Sequence, residues 1–265
     1  MPHPQTPPAA WMLRRAALPL DRPLVMGVVN VTPDSFSDGG QFFSADTAIA
    51  HGVRLVEEGA DVLDVGGEST RPQGAREVSA AEERRRVLPV IGGLRERLPD
   101  AVISVDTVKS DVAAAALAEG ADIVNDVSGF RLDGTMAAVC ARTEAGVILM
   151  HSRGGVSDMA TYAHASYGPD VMADVIAELE PRAEYALESG VARERIALDP
   201  GLGFGKRTEH SVAALASLSR LAALGYPVAV GASRKRFVGE LSGAPDPADR
   251  LPGTIAANVM ALAGG

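Results

Sequence analysis

Short apolar runs recur along the chain. Each ends in a polar residue and is followed by a loop and then a stretch of helical character. Seven can be read: VMGVV before Asn30, DVLDV carrying Asp64 before Gly66-Gly67-Glu68, VISV before Asp106, DIV before Asn125-Asp126, VILM before His151, RIAL before Asp199, and PVAVGA before Ser233. Apolar runs this short, alternating with helices, are the pattern of a parallel sheet covered on both faces. The helices are predicted over 45–59, 80–98, 108–119, 133–144, 169–189, 208–224 and 249–263. Gly59, Gly120, Gly146, Gly190 and Gly225 follow their last turns, where a left-handed residue ends a helix. A (β/α)-barrel gathers its chemistry at the C-terminal rim of the strands, so the pattern brings seven polar groups to one rim.

The long loops are 31–44, 66–79, 151–168 and 231–248, and loops of that length in a compact barrel usually carry function. Residues 1–22 read as a tail with a possible short hairpin in its second half, at the barrel bottom, and 23–265 as the barrel domain. By the chain's own rhythm an eighth strand should begin at Gly264-Gly265. The expected fold is therefore α/β, a TIM (β/α)8-type barrel whose eighth strand and helix are missing from the chain.

Composition narrows the function. A length of 265 residues fits one such barrel, and with 46% hydrophobic but only 4% aromatic residues, aliphatic side chains must fill the core. The net charge of −9 argues against nucleic-acid binding, and an anionic substrate would need its own local cations or a metal. Cys140 is the single cysteine, which excludes an intrachain disulfide and fits a reducing, cytoplasmic setting. No apolar run reaches 18 residues, so no membrane span is expected, and MPHPQTPPAA, with four prolines, is a poor secretion signal.

Four motifs stand on the first, second, sixth and seventh rim loops: Asn30-Val-Thr-Pro-Asp34-Ser-Phe36-Ser-Asp38-Gly-Gly40, Gly66-Gly67-Glu68-Ser69-Thr70-Arg71-Pro72, Asp199-Pro-Gly-Leu-Gly-Phe204-Gly-Lys206, and Gly231-Ala-Ser233-Arg234-Lys235-Arg236-Phe237. Together, and in this order, they resemble the dihydropteroate synthase family of pterin-binding TIM barrels, from about Val25 to Gly265. The resemblance implies condensation of 6-hydroxymethyl-7,8-dihydropterin diphosphate with p-aminobenzoate, assisted by Mg²⁺, in a homodimer. It places the pterin on Asp106, Asn125, Asp199 and Lys235, the diphosphate near Thr70 and Arg71, and Mg²⁺ on Asn30. Phe36, Asp38 and Pro72 belong to lid-like first and second loops around the aminobenzoate, and Phe204 to the substrate pocket; Asp38, Arg71 and Lys235 are the candidate catalytic groups.

The residue types suit this chemistry on their own terms. A reduced pterin presents N–H donors beside a carbonyl; carboxylates accept from such an edge, an asparagine does both, and a lysine donates. Charge-assisted bonds of this kind contribute roughly 1.5–3 kcal/mol each. A related barrel of another class, the methyltetrahydrofolate:corrinoid methyltransferases, is disfavoured by the first-loop Ser-Phe-Ser-Asp-Gly-Gly and by Ser-Arg-Lys. A non-catalytic pterin-binding paralogue draws support only from the missing eighth strand, with the Arg-Val-His motif the family carries there.

Plainer roles compete at several positions. Asp199 could be a turn residue, Asp106 an N-cap, and Asp64 a buried structural carboxylate. His151 reads as a loop or core histidine, and Arg84-Arg85-Arg86 as a solvated helix face. Lys109 shows no clear role, and Lys206 is expected only to solvate the Gly-Phe-Gly turn. Arg236 stands where many relatives have serine and would either meet the aminobenzoate carboxylate or face solvent. The 199–206 segment is not a phosphate loop, because Pro200 occupies the first glycine position and Arg207 follows the lysine.

Overall fold

The computed structural model describes residues 8–31, 45–69 and 77–264. Six parallel strands form the sheet in sequence order: β3 (Met26–Asn30), β4 (Val62–Gly66), β5 (Val102–Asp106), β6 (Ile123–Asp126), β7 (Gly146–Met150) and β8 (Ile196–Asp199). Between them run α1 (Ala45–Glu57), α2 (Ala80–Arg97), α3 (Ser110–Glu119), α4 (Met136–Thr143) and α5 (Val171–Glu188). After β8 come α6 (Thr208–Ala216), α7 (Leu218–Ala222), α8 (Arg236–Ser242) and α9 (Leu251–Gly264). Sequential neighbours joined by helices are the right-handed crossover arrangement of a (β/α)-barrel.

Local signals set the helix starts. Ser79 accepts from the Glu82 amide at 3.2 Å to begin α2, and Asp170 accepts from the Ala173 amide at 3.0 Å to begin α5. At the other ends Gly59, Gly120, Gly190 and Gly225 take positive φ. Gly146 does not: it opens β7, and Glu144 takes the left-handed position at φ 55°. The sequence pattern is off by two residues there because α4 ends early.

Two apolar layers hold the barrel. The outer layer packs the helices onto the sheet, with Leu63, Ile91, Leu94, Ile103, Leu117, Leu149 and Leu179 among its members. Each such side chain contributes about 1.5–3 kcal/mol through burial. The inner layer fills the bottom of the lumen with Val62, Val102, Ile123, Ile148 and Ala197. A hairpin of β1 (Ala10–Met12) and β2 (Ala17–Pro19) closes that end, and its Trp11 and Leu13 are buried against these residues. Trp11 Nε1 donates to the Arg195 carbonyl at 2.9 Å. Asp122, at the start of the β6 unit, accepts from Arg15 at 2.7 Å, Arg95 at 3.0 Å and the Ile103 amide at 3.1 Å. Plugging the bottom with apolar side chains leaves the upper lumen for polar groups.

Three elements depart from the pattern. The run 227–232 is not a full strand: Val228 makes one parallel bridge to Leu198, through Leu198 N to Pro227 O and Ala229 N to Leu198 O, both 2.9 Å. Among the described residues it pairs on this side only, and a ladder needs partners to extend. The helix expected over 208–224 breaks at Ser217 into α6 and α7. The loop expected over 231–248 contains α8, where Phe237 and Val238 are buried.

Candidate active site

Parallel pairing aligns the strand ends. Asn30 registers with Gly66, Gly66 with Asp106, and Asp106 with Asn125. Register partners share a face, so these four lie in one row across β3 to β6. Gly66 leaves the row open between its neighbours: a Cβ built there would lie 3.5 Å from Asp106 Oδ2 and 3.9 Å from Asn30 Oδ1. Ala197 of β8 belongs to the lumen layer, and Asp199, two residues on, shares that face higher up.

Asp64, one step deeper on β4, accepts from Asn125 Nδ2 at 2.9 Å. That bond sets the amide's orientation. Asn125 Nδ2 faces a group that accepts, and its Oδ1 is left to accept from a ligand. Asp199 Oδ1 accepts from the Gly201 amide at 2.6 Å. Lys235, at the N-cap of α8, places its ammonium 4.0 Å from the centre of the Phe204 ring, a cation–π contact.

The electrostatics follow from crowding carboxyls in the lumen. Burial raises the pKa of Asp106 well above the usual carboxylate range, and Asp64, Glu83, Asp126 and Glu68 add to the rise. Burial brings Asp199 to about 6, opposed by the Gly201 amide, Lys235 and Lys206. Burial lowers Lys235 to about 8, opposed by Asp199 and Asp106. Lys235 therefore acts electrostatically on both acids at once. A ligand that brings N–H donors to Asp106 and Asp199 favours their ionised forms. The site is preorganised for a flat, donor-rich heterocycle.

The model of the pterin binding enzyme family matches residues 26–265. The chain belongs to the pterin binding enzyme family. Within that family it is similar to several dihydropteroate synthases. The Synechocystis dihydropteroate synthase is 45% identical over 244 residues, covering 92% of this chain and 83% of the relative. The structure of Xanthomonas albilineans dihydropteroate synthase with 4-aminobenzoic acid superposes with a TM-score of 0.89 at 45% identity, over 97% of this chain and 90% of that one. The same organism's enzyme in complex with 7,8-dihydropteroate superposes at 0.85 with 42% identity, over the same shares. The TIM-barrel fold is that of these pterin enzymes.

Among the family-motif residues, Asn30, Asp106, Asn125, Asp199, Phe204 and Lys235 stand at the strand ends or on the loops that follow them. Phe36, Asp38, Thr70, Arg71 and Pro72 lie outside the described residues.

Several positions gain a role that spacing did not reveal. Lys109 pairs with Glu83 at 2.7 Å and Glu68 at 2.9 Å, and Glu68 accepts from the Val78 amide at 2.7 Å. The three side chains clamp the root of the second loop, and Arg86 reinforces it by donating to the Gly67 carbonyl at 2.9 Å. The arginine run on α2 is thus only partly a solvated face. Arg236 lies 3.7 Å from the Tyr162 ring centre, tying the start of α8 to the 151–168 loop. Lys206 does not solvate a turn: it is 1% exposed. The sequence held one signal for it, a lysine closing a run of three alternating glycines.

Proposed function

We propose that this member of the pterin binding enzymes catalyses the condensation of 6-hydroxymethyl-7,8-dihydropterin diphosphate with p-aminobenzoate, a step of folate biosynthesis. The products are 7,8-dihydropteroate and diphosphate. The observation that carries this reading is the convergence of Asp106, Asn125, Lys235 and Asp199 at the rim of one lumen, in a chain 45% identical to a dihydropteroate synthase. That similarity also favours the synthase over the methyltransferase and the non-catalytic readings.

Asp106 and Asp199 accept from the pterin N–H edge, Asn125 accepts and donates, and Lys235 donates to the ring carbonyl or a ring nitrogen. The bond from the pterin methylene carbon to the diphosphate oxygen breaks, its electron pair leaving on the diphosphate. The aniline nitrogen of p-aminobenzoate supplies the new C–N bond and then gives up a proton. The buried carboxylates favour positive charge that develops on the pterin as the C–O bond lengthens. No side-chain nucleophile is needed, because the second substrate brings its own amine. Thr70 and Arg71 are assigned to the diphosphate. Phe36, Asp38 and Pro72 are assigned to the aminobenzoate side.

Asn30 suits Mg²⁺ as an exposed carbonyl donor at the end of β3, in the same row as Asp106 with Gly66 between them. Among the described residues no three His, Cys, Asp or Glu side chains cluster as a ligand cage, so diphosphate oxygens and water would supply the other ligands. The bound ion would neutralise charge on the leaving group. Exposed Leu251, Ile255, Val259 and Leu262 on α9 support a homodimer, which light scattering tests. The single cysteine, buried and unpaired, supports a cytoplasmic setting, which cell fractionation tests. The decisive assay mixes the purified chain with Mg²⁺ and both substrates and follows dihydropteroate; no product refutes the assignment.

A further inference from the structure

The loop 199–206 is wrapped around a buried cation. The Lys206 ammonium lies 3.1 Å from the Gly201 carbonyl, 3.3 Å from the Phe204 carbonyl and 2.8 Å from His151 Nδ1. An ammonium has three donors, and here each has one acceptor. Gly201, Gly203 and Gly205 take φ of +66°, +78° and +56°. These conformations turn the carbonyls of residues 201 and 204 inward, where the lysine sits. At Gly201 no other residue fits, because a Cβ would stand 2.0 Å from the His151 carbonyl oxygen.

His151 completes the device from β7's side. Its Nε2 lies 3.2 Å from Glu178 Oε2, and Arg153 donates to Glu178 Oε1 at 3.0 Å. A neutral imidazole with its proton on Nε2 accepts from Lys206 at Nδ1 and keeps the protonated nitrogen on the Glu178 side, where the 3.2 Å separation does not have hydrogen-bond geometry. Burial and the nearby Lys206 lower the pKa of His151 to about 4, in keeping with that tautomer near neutral pH. None of these groups takes part in the condensation proposed above.

We propose that Lys206 is a positioning residue for the pterin site: it locks the glycine loop from below so that Gly201 and Phe204 hold Asp199 and Lys235 in place. The linkage is short. Lys206 fixes the Gly201 carbonyl, and the Gly201 amide holds Asp199 Oδ1 at 2.6 Å, which leaves the other Asp199 oxygen to accept from a pterin. On the other arm Lys206 fixes the Phe204 backbone, and the Phe204 ring carries Lys235 at 4.0 Å. One buried ammonium therefore sets both an acceptor and a donor of the pterin edge. Lys206 also acts through charge. With Lys235 it is one of two cations that oppose the upward shift of Asp199. Burial lowers the pKa of Lys206 to about 7, with Arg153 and Lys235 adding to the fall and Asp199 and Glu178 opposing it, so the ammonium carries its charge on the acid side of neutrality, where Asp199 titrates.

The inference rests on the pterin reading of the site, and the test separates the two. Titrate 6-hydroxymethylpterin into the wild-type chain and into Lys206→Met from pH 5 to 8, following melting temperature in parallel. The wild type should bind, with affinity falling as Asp199 protonates near pH 6. Lys206→Met should bind at least about tenfold more weakly at pH 7, as expected for loss of hydrogen bonds from a charged donor. Its acid limb should also move to higher pH, because Asp199 has lost a neighbouring positive charge. Unchanged affinity in a folded Lys206→Met overturns the inference. So does a uniform weakening with no shift of the limb, which marks a merely structural role. If Lys206→Met does not fold, Lys206→Gln carries the same comparison; failure of both to fold makes the lysine a folding residue and overturns the inference. A wild-type chain that binds no pterin refutes the functional reading, and the inference falls with it.

Discussion

Replacing Asp64 tests how the site orients its asparagine. Asp64 is 6% exposed, and its Oδ2 accepts from Asn125 Nδ2 at 2.9 Å. Its Oδ1 and the hydroxyl of Ser104, its register partner on β5, have no hydrogen-bond partner among the described residues. Asp64→Ala frees the Asn125 amide to rotate and leaves its NH₂ without a buried acceptor. Loss of a hydrogen bond to a charged group costs roughly 1.5–3 kcal/mol, which corresponds to about a 10- to 150-fold fall in kcat/KM if the orientation matters in the transition state.

Asp64→Asn keeps an acceptor for Asn125 and adds a donor beside Ser104, so its fall should stay within about fivefold, the difference between a charged and a neutral bond. Both changes remove a negative charge that raises Asp106, so the acid limb of kcat/KM should move to lower pH in both. Stability should respond in the opposite sense to activity. Burial raises the folded pKa of Asp64, so the folded state binds the proton more tightly than the unfolded chain. The cost of ionising it appears as pH rises above the unfolded value of about 4. Asp64→Asn removes that cost and should raise the urea midpoint at pH 7 more than at pH 4. Dihydropteroate formation and urea unfolding read both effects. Equal kcat/KM in Asp64→Ala and wild type would refute the orienting role.

Further outcomes follow from the same geometry. Asp122→Ala strips three donors of a buried acceptor that is 1% exposed in its side chain; it should cost about 3–5 kcal/mol in urea unfolding and open the Trp11 hairpin to protease. Wild-type kcat/KM should fall as pH drops through about 6, because Asp199 loses its charge there; a flat profile from pH 5 to 7 would contradict its role as a carboxylate acceptor. Gly201→Ala places a Cβ 2.0 Å from the His151 carbonyl at φ +66° and should lower stability by roughly 3 kcal/mol or more, seen as a drop in melting temperature. Chelation with EDTA should abolish turnover and added Mg²⁺ restore it, while Asn30→Ala should raise the Mg²⁺ concentration for half-maximal rate.

Periodicity alone carried the architecture. Apolar runs of this length cannot be stable helices, and their spacing leaves room for one crossover helix each, so parallel order and a polar rim follow without coordinates. Asp106, Asn125 and Asp199 were legible as rim residues because each closes an apolar run, whereas Lys235, and the pterin role of all four, were legible only through the motif resemblance. Other features depend on side chains distant in sequence. Asp64 lies inside its run, and only the β4–β6 geometry shows that it holds Asn125, 61 residues away. Lys206 follows a glycine turn that reads as surface, yet His151, from a strand 55 residues earlier, supplies the acceptor that lets an ammonium be buried. The run 227–232 has strand composition but one partner side among the described residues, and hydrogen bonding between strands is decided by neighbours rather than by composition. Local pattern thus determined which elements form and which residues cap them. Burial, orientation and charge at the site were decided only when the barrel brought separate units together.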